Sequence, residues 1–236
     1  MLKLTVILPM HNEAKRVAGC VELVGNACRR LTGPEGYEIL VAEDGSSDST
    51  YAVARSLAAN DRHVRVFHSE KRIGRGAALA AAIRASKGAV VAYMDADLSS
   101  DLKHLGDLVS RVEDGAAIAT GSRLMRASRT KRSPKREIAS RGYNFLVRAI
   151  LGSRLHDHQC GFKALDRKKI LPLLSDVRDT HWFWDTELIV RAQRKGLRID
   201  EMPIEWAEKG RQSTVDLKKD VAYMASKILD LKLRLG

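Results

Sequence analysis

A short apolar run, Val90-Val91-Ala92-Tyr93-Met94, stops abruptly at two carboxylates, Asp95 and Asp97, with one residue between them. Its length, its β-branched residues and the preceding Lys87-Gly88 predict a buried strand over Ala89 to Met94. In a parallel sheet, ligands sit just beyond the carboxyl ends of the strands, so both carboxylates are expected at the mouth of a site. On an extended backbone the i, i+2 spacing points both side chains the same way. Two converging carboxylates repel, and a divalent ion relieves the repulsion; their hard oxygens suit Mg2+ or Mn2+. The competing reading is that Asp95 and Asp97 merely cap the next helix, Asp101 to Val112.

The flanking sequence repeats a strand–helix theme. Leu4 to Leu8 predicts a first strand, closed by Pro9, and Ala14 to Arg30 a helix with Val17, Val21, Val24, Cys28 and Leu31 near one face. Tyr37 to Ala42 follows as a strand, Thr50 to Ala59 as a helix and His63 to His68 as a strand. Gly74-Arg75-Gly76 opens a small-residue helix to about Ser86, and after the fourth strand come a helix to Asp114 and a strand over Ala116 to Thr120. The fold class is therefore α/β: a Rossmann-like, mostly parallel sheet with helices on both faces and right-handed crossovers.

After Arg123 the rhythm breaks. The basic, Ser-containing run to Lys135 has no strand or helix pattern and is expected as a loop. A helix is expected from Arg136 to Leu151, a loop from His156 entering a short strand by Leu165, and a helix from Trp184 to Lys195. Leu197 to Met202 and Pro203 to Trp206 read as strand pieces. The final helix, residues 217–235, is amphipathic, with Val221, Met224, Ile228, Leu231 and Leu235 on one stripe. That stripe can pack on the domain, pair with a second copy in a homo-oligomer or lie on a membrane surface.

Composition narrows the class. At 236 residues, 30% charged and 44% apolar, the chain is sized for one large globular domain. No apolar run reaches the roughly 20 residues of a membrane span, and the first residues lack a signal-peptide pattern. Cys20, Cys28 and Cys160 lack zinc-site spacing and suggest reduced thiols in a cytoplasmic protein. His11, His156, His158 and His181 also lack metal-site spacing and are expected as solvated loop residues. The net charge of +12 is concentrated between Arg123 and Arg154, where ten Lys and Arg residues face one acidic residue, Glu137. Such a patch attracts nucleic acid, phosphorylated ligands or an anionic membrane face.

Pro9 and Glu13 end the first strand, Asp44 the second, and Asp95 and Asp97 the fourth, so all are expected on one sheet edge. That edge suits a nucleotide, with Asp44 accepting from a base and the Glu13 region holding ribose or base. Gly74-Arg75-Gly76 offers small residues and positive charge for base or phosphate at a helix N-terminus. It lacks the spacing of a Walker or dinucleotide loop.

In this setting the motifs at 9–13 (Pro-Met-His-Asn-Glu), 43–50 (Glu-Asp-Gly-Ser-Ser-Asp-Ser-Thr), 74–77 (Gly-Arg-Gly-Ala), 94–98 (Met-Asp-Ala-Asp-Leu) and 121–123 (Gly-Ser-Arg) resemble family 2 glycosyltransferases of the GT-A fold. Gln-Cys-Gly-Phe-Lys at 159–163 and Phe-Trp-Asp-Thr-Glu-Leu at 183–188 look like the branch of dolichyl- and polyprenyl-phosphate glucose and mannose synthases. The match runs from Leu4 to about Trp206, with residues 1–212 as the catalytic domain and 213–236 as a C-terminal helix with a membrane or dimer contact.

The resemblance implies an inverting hexose transfer from a nucleotide sugar, UDP-glucose or GDP-mannose, to a polyprenyl phosphate. It implies a metal shell of Asp95, Asp97 and Ser99, and a donor site of Pro9, Glu13, Asp44, Gly74, Arg75 and Asp95. Arg123, Arg136, Ser140 and Arg141 match positions near the acceptor phosphate, where a guanidinium suits phosphate bidentately. Asp97 and Arg123 are then catalytic, with Asp157 and Asp185 orienting sugar hydroxyls or acceptor. For Asp185 and Glu187, the alternative is favourable charge at a helix N-terminus. Such an enzyme is expected to be peripheral on the cytoplasmic membrane face.

Three other readings compete. One is transfer to a different glycan acceptor. Another is nucleic-acid binding, opposed by carboxylates gathered at the strand ends and by few aromatics in the basic run. The last is a membrane-docked scaffold without catalysis, opposed by the intact Asp44, Asp95, Asp97 and Arg123.

Overall fold

The computed structural model describes residues 2–208 and 217–236. In chain order, β1 (Leu4–Met10), α1 (Val17–Thr32), β2 (Tyr37–Asp44), α2 (Thr50–Asn60), β3 (Val64–Ser69), α3 (Arg75–Ala85) and β4 (Val90–Tyr93) alternate as the pattern predicts. They are followed by α4 (Leu105–Glu113), β5 (Ile118–Ser122), β6 (Arg129–Lys131), α5 (Pro134–Leu151), β7 (Lys163–Asp166) and α6 (Arg167–Ile170). The chain ends with α7 (Trp184–Arg194), β8 (Ile199–Pro203), β9 (Glu205–Ala207) and α8 (Leu217–Leu235).

Seven strands form one sheet in the order β3-β2-β1-β4-β7-β5-β8. All pairs are parallel except those of β7, which runs antiparallel between β4 and β5. Period-2 side-chain alternation divides the core between the faces. Leu4, Val6 and Leu8 of β1 join α1 and α4 on one face, whereas Ile7 joins Val91 and Tyr93 of β4 with α3 and α7 on the other.

The sheet reverses its winding between β1 and β4, the place where an open α/β sheet leaves a crevice beyond its strand ends. β1 pairs with β2 along its whole length but with β4 only from Leu4 to Ile7. Two residues later Pro9 has no N–H to give, so the strand ends diverge there.

The basic run is not wholly loop. Arg129–Lys131 forms β6, paired parallel with β9, and α5 starts at Pro134, two residues before the expected start. A three-residue polar strand has no hydrophobic alternation to reveal it. Pro at the first turn of α5 fits a position whose N–H has no helical partner.

Helix α8 lies on the domain. Ile228 and Leu231 are buried among Val147 and Leu151 of α5 and Phe183 and Val190 around α7. Charge reinforces the contact: Arg234 reaches buried Glu187 at 2.7 Å, and Tyr223 donates to Asp179 at 2.7 Å. Val221 of the expected stripe lies outside the residues whose side chains are described. Among the described residues, no helix is long and apolar enough to cross a membrane.

Candidate active site

Strand β4 stops at Tyr93, and the next residues turn instead of continuing extended. The Leu98 amide donates to the Asp95 carbonyl at 3.0 Å, and Leu98 has φ +49°. A left-handed non-glycine residue costs about 1–2 kcal/mol, which burial of the Leu98 side chain offsets. The extended-backbone expectation is thus corrected: a turn presents Asp95 and Asp97. The capping alternative also fails, because Asp101 accepts the Lys103 amide at 3.0 Å and does the capping. Asp97 instead accepts the Ser99 amide at 2.9 Å. The Ser99 hydroxyl is buried without a hydrogen-bond partner among the described residues.

Asp95 belongs to a chain of alternating charge. Its Oδ1 accepts from Arg75 Nη2 at 3.1 Å, and Arg75 Nη1 donates to Asp185 Oδ2 at 2.7 Å. Asp185 Oδ1 also accepts from the Tyr93 hydroxyl at 2.5 Å and from Lys163 Nζ at 3.0 Å. Burial alone would raise the Asp185 carboxyl, but Lys163 and Arg75 hold it below its ordinary range. Burial likewise works against the Arg75 charge, and Asp185 and Asp95 more than restore it. Asp185 is only 5% exposed, and its carboxylate accepts from Arg75, Tyr93 and Lys163, so it holds Arg75 in place. Sequence reading missed Lys163 and Tyr93. The Lys in Gln-Cys-Gly-Phe-Lys was the available signal, because a Lys opening a core strand needs a partner.

On the β2 side, Asp44 is buried, and its two oxygens accept the Ile73 amide at 2.7 Å and the Gly74 amide at 3.0 Å. It anchors the loop before α3, with remaining lone pairs for a further donor. Gly74 and Gly76 do not open a phosphate cradle as expected. The Thr180 carbonyl already accepts the Gly76 and Ala77 amides, at 2.8 and 3.1 Å. A Cβ at Gly74 (φ +99°) would strike Thr180 and His181, and one at Gly76 would strike Trp184. Both glycines serve close packing. Glu13 is buried and pairs with Arg16 at 2.7 Å, and Pro9 lines the β1 end where the strands part.

The cationic side begins at Arg123. Its Nε and Nη2 clasp Asp157 at 2.7 and 2.9 Å, and its amide adds a third bond at 3.0 Å. Burial would raise the Asp157 carboxyl, yet Arg123 holds it well below the usual carboxylate range. Asp157 has no exposed surface, and its clasp holds Arg123 in place. The Arg123 guanidinium lies over Trp206 at 5.9 Å. Arg136, Ser140 and Arg141 share α5. Arg136 pairs with Glu208 at 2.5 Å and Arg141 with Glu137 at 2.6 Å, while the Ser140 hydroxyl is buried without a hydrogen-bond partner among the described residues.

His158 is not solvated. It is fully buried, with Nδ1 on Asn144 Oδ1 at 2.7 Å and Nε2 receiving Ser153 Oγ at 2.6 Å, and burial pushes it down to about 3. The three cysteines are free and buried, each thiol pushed up by burial. Among the described residues no three His, Cys, Asp or Glu side chains cluster as a metal site. The chain offers two hard carboxylates at the cleft, a donor set that fits Mg2+ or Mn2+ when a ligand's oxygens and water complete the shell.

Comparison with known proteins gives this geometry a context. The family model described as "Glycosyl transferase family 2" matches residues 5–172. The glycosyltransferase AglD of Haloferax volcanii is 45% identical over 97% of this chain, which spans only 36% of AglD. A dolichyl-phosphate beta-glucosyltransferase of Trichomonas vaginalis is 30% identical, covering 96% of this chain and 69% of its own length. The polyprenol monophosphomannose synthase of Mycolicibacterium smegmatis is 33% identical, covering 86% and 77%. Among solved structures, glucosyl-3-phosphoglycerate synthase from Mycobacterium tuberculosis, in complex with Mn2+, UDP and glucosyl-3-phosphoglycerate, superposes with a TM-score of 0.68 at 18% identity. It covers 99% of this chain and 79% of its own, a likeness of fold, here GT-A.

Proposed function

The chain belongs to glycosyl transferase family 2, and on that premise we propose that it moves a hexose from a nucleoside diphosphate sugar to the phosphate of a polyprenyl or dolichyl phosphate. One observation carries the reading: a two-carboxylate turn follows β4 at the β1/β4 switch point, and Arg123 follows β5, which runs parallel to β4 across β7, so both stand on the same sheet edge. Such a cleft can hold a diphosphate on one side and a second phosphate on the other. The names of the relatives support this acceptor class. For the donor we propose UDP-glucose first and GDP-mannose second.

Asp95 and Asp97 are the residues that would hold a divalent ion, which when bound neutralises the diphosphate leaving group. The Ser99 amide steadies Asp97, and Arg75 steadies Asp95. Pro9, Glu13 and Asp44 border the nucleotide side. Arg123, locked by Asp157, turns its remaining nitrogen to the acceptor phosphate, with Arg136, Ser140 and Arg141 along α5. That phosphate is already anionic near neutral pH, so attack on the anomeric carbon needs no strong general base. Departure of the diphosphate from the opposite face inverts the centre.

Residues 1–212 form the catalytic domain in this reading, and the helix within 213–236 carries exposed Leu229 and Leu233 for a membrane or second-copy contact. The enzyme works at the cytoplasmic membrane surface, where a lipid acceptor resides. The test is incubation with Mg2+ or Mn2+, a polyprenyl phosphate and each common nucleotide sugar. Lipid-linked sugar of inverted anomeric configuration is expected from one donor. Donor turnover without the lipid phosphate would instead favour another acceptor, and no product from any donor would refute the proposal.

A further inference from the structure

Lys163 is fully buried at the start of β7. A buried ammonium costs several kcal/mol unless its N–H groups are met. Here Nζ donates to Asp185 Oδ1 at 3.0 Å, to the His158 carbonyl at 3.2 Å and to the Cys160 carbonyl. Two of these bonds hold the backbone that leads into Gly161. That glycine lies so close to Asp95 that a Cβ would overlap the carboxylate, with Oδ2 its nearest atom. The third bond leads by a second route to the same carboxylate, from Asp185 through Arg75 to Asp95 Oδ1. The Asp95 side chain is half exposed, and without these restraints it would sample other rotamers.

We propose that Lys163 is a positioning residue for Asp95, fixing one carboxylate oxygen through the Cys160–Gly161 backbone and the other through Asp185 and Arg75. The inference rests on the reading of Asp95 as part of a metal–diphosphate site. It explains why a charged residue stands where an apolar one of similar length would fill the volume without desolvation. It also gives Gly161 a purpose: any side chain there displaces Asp95.

The test uses the full chain, Lys163→Met and Gly161→Ala, each checked by circular dichroism to be folded at the working temperature. Free Mn2+ is followed by electron paramagnetic resonance during titration with UDP and, separately, GDP present. Loss of an outer positioning partner weakens metal binding about 10- to 100-fold, and that loss is expected in both variants. A merely structural lysine would lower the melting temperature and leave the affinity of the folded protein unchanged. Wild-type affinity in a folded Lys163 variant overturns the inference alone, whatever Gly161→Ala does. A wild type that binds Mn2+ with neither nucleotide overturns the reading of Asp95 and the inference with it. Should Lys163→Met not fold, Lys163→Gln decides, because it keeps a donor in the buried site but loses the reach that joins Asp185 to the Cys160 carbonyl.

Discussion

Asp185 holds the Arg75 guanidinium at 2.7 Å, with side-chain exposures of 5% and 14%. Replacing Asp185 by Asn leaves Arg75 and Lys163 facing a neutral amide. Breaking a buried ion pair from one side costs about 3–5 kcal/mol. Urea denaturation of Asp185→Asn is expected to show a loss of that order, and an unchanged midpoint would contradict the buried network.

Asp97→Ala is expected to abolish transfer, a fall of about 100-fold or more, without loss of fold. Asp97 is half-buried and accepts from the Ser99 amide two residues on, so truncation disturbs a local bond and leaves the core intact. Product formation with each metal and the far-ultraviolet dichroism spectrum check the two halves. Unchanged turnover would refute the metal role.

His158 makes stability depend on pH. Its folded value is pushed down to about 3 by burial, while an unfolded histidine titrates near ~6.5. Below the unfolded value, protons favour the unfolded chain. Stability is therefore lost as pH falls from about 6.5 toward 3, at roughly 1.4 kcal/mol per unit from this group. Urea midpoints between pH 7 and pH 4 are expected to decline less steeply in His158→Gln, whatever its absolute stability.

Leu231→Ala tests the seat of α8. The side chain is fully buried against α5 and α7, and such a truncation costs about 2–5 kcal/mol. A shift in melting temperature without that loss in denaturant would argue that α8 is not part of the cooperative unit.

The strands and helices up to β5 were legible because their apolar periodicity is strong and their ends carry Pro, Gly or Asp. Asp44, Asp95, Asp97 and Arg123 could be placed on one sheet edge in advance because each ends or follows a strand, whereas the turn that carries Asp95 and Asp97 could not. What remained hidden is contact. Nothing in the spacing of Asp157 or Asp185 reveals that each is spent on a cation far away in sequence, Arg123 or Arg75 with Lys163. Gly74 and Gly76 read as a phosphate loop because glycine signals close approach without naming what approaches; here it is Thr180, His181 and Trp184. Helix N-termini look open in sequence until a distant carbonyl is found on them.

The direction of β7 has a consequence for how this cleft can change. A parallel strand supplies its site only with the segment that follows it, and that segment must then become a crossover helix. β7 arrives at the ligand edge by its beginning, so the segment before Lys163 reaches the cleft without such an obligation. Between Leu151 and His158, Gly152, Arg154 and His156 are exposed while the residues between them are buried, so the wall of the cleft can change at those three positions while the sheet's connections stay as they are. That border can vary at those positions at little cost to folding.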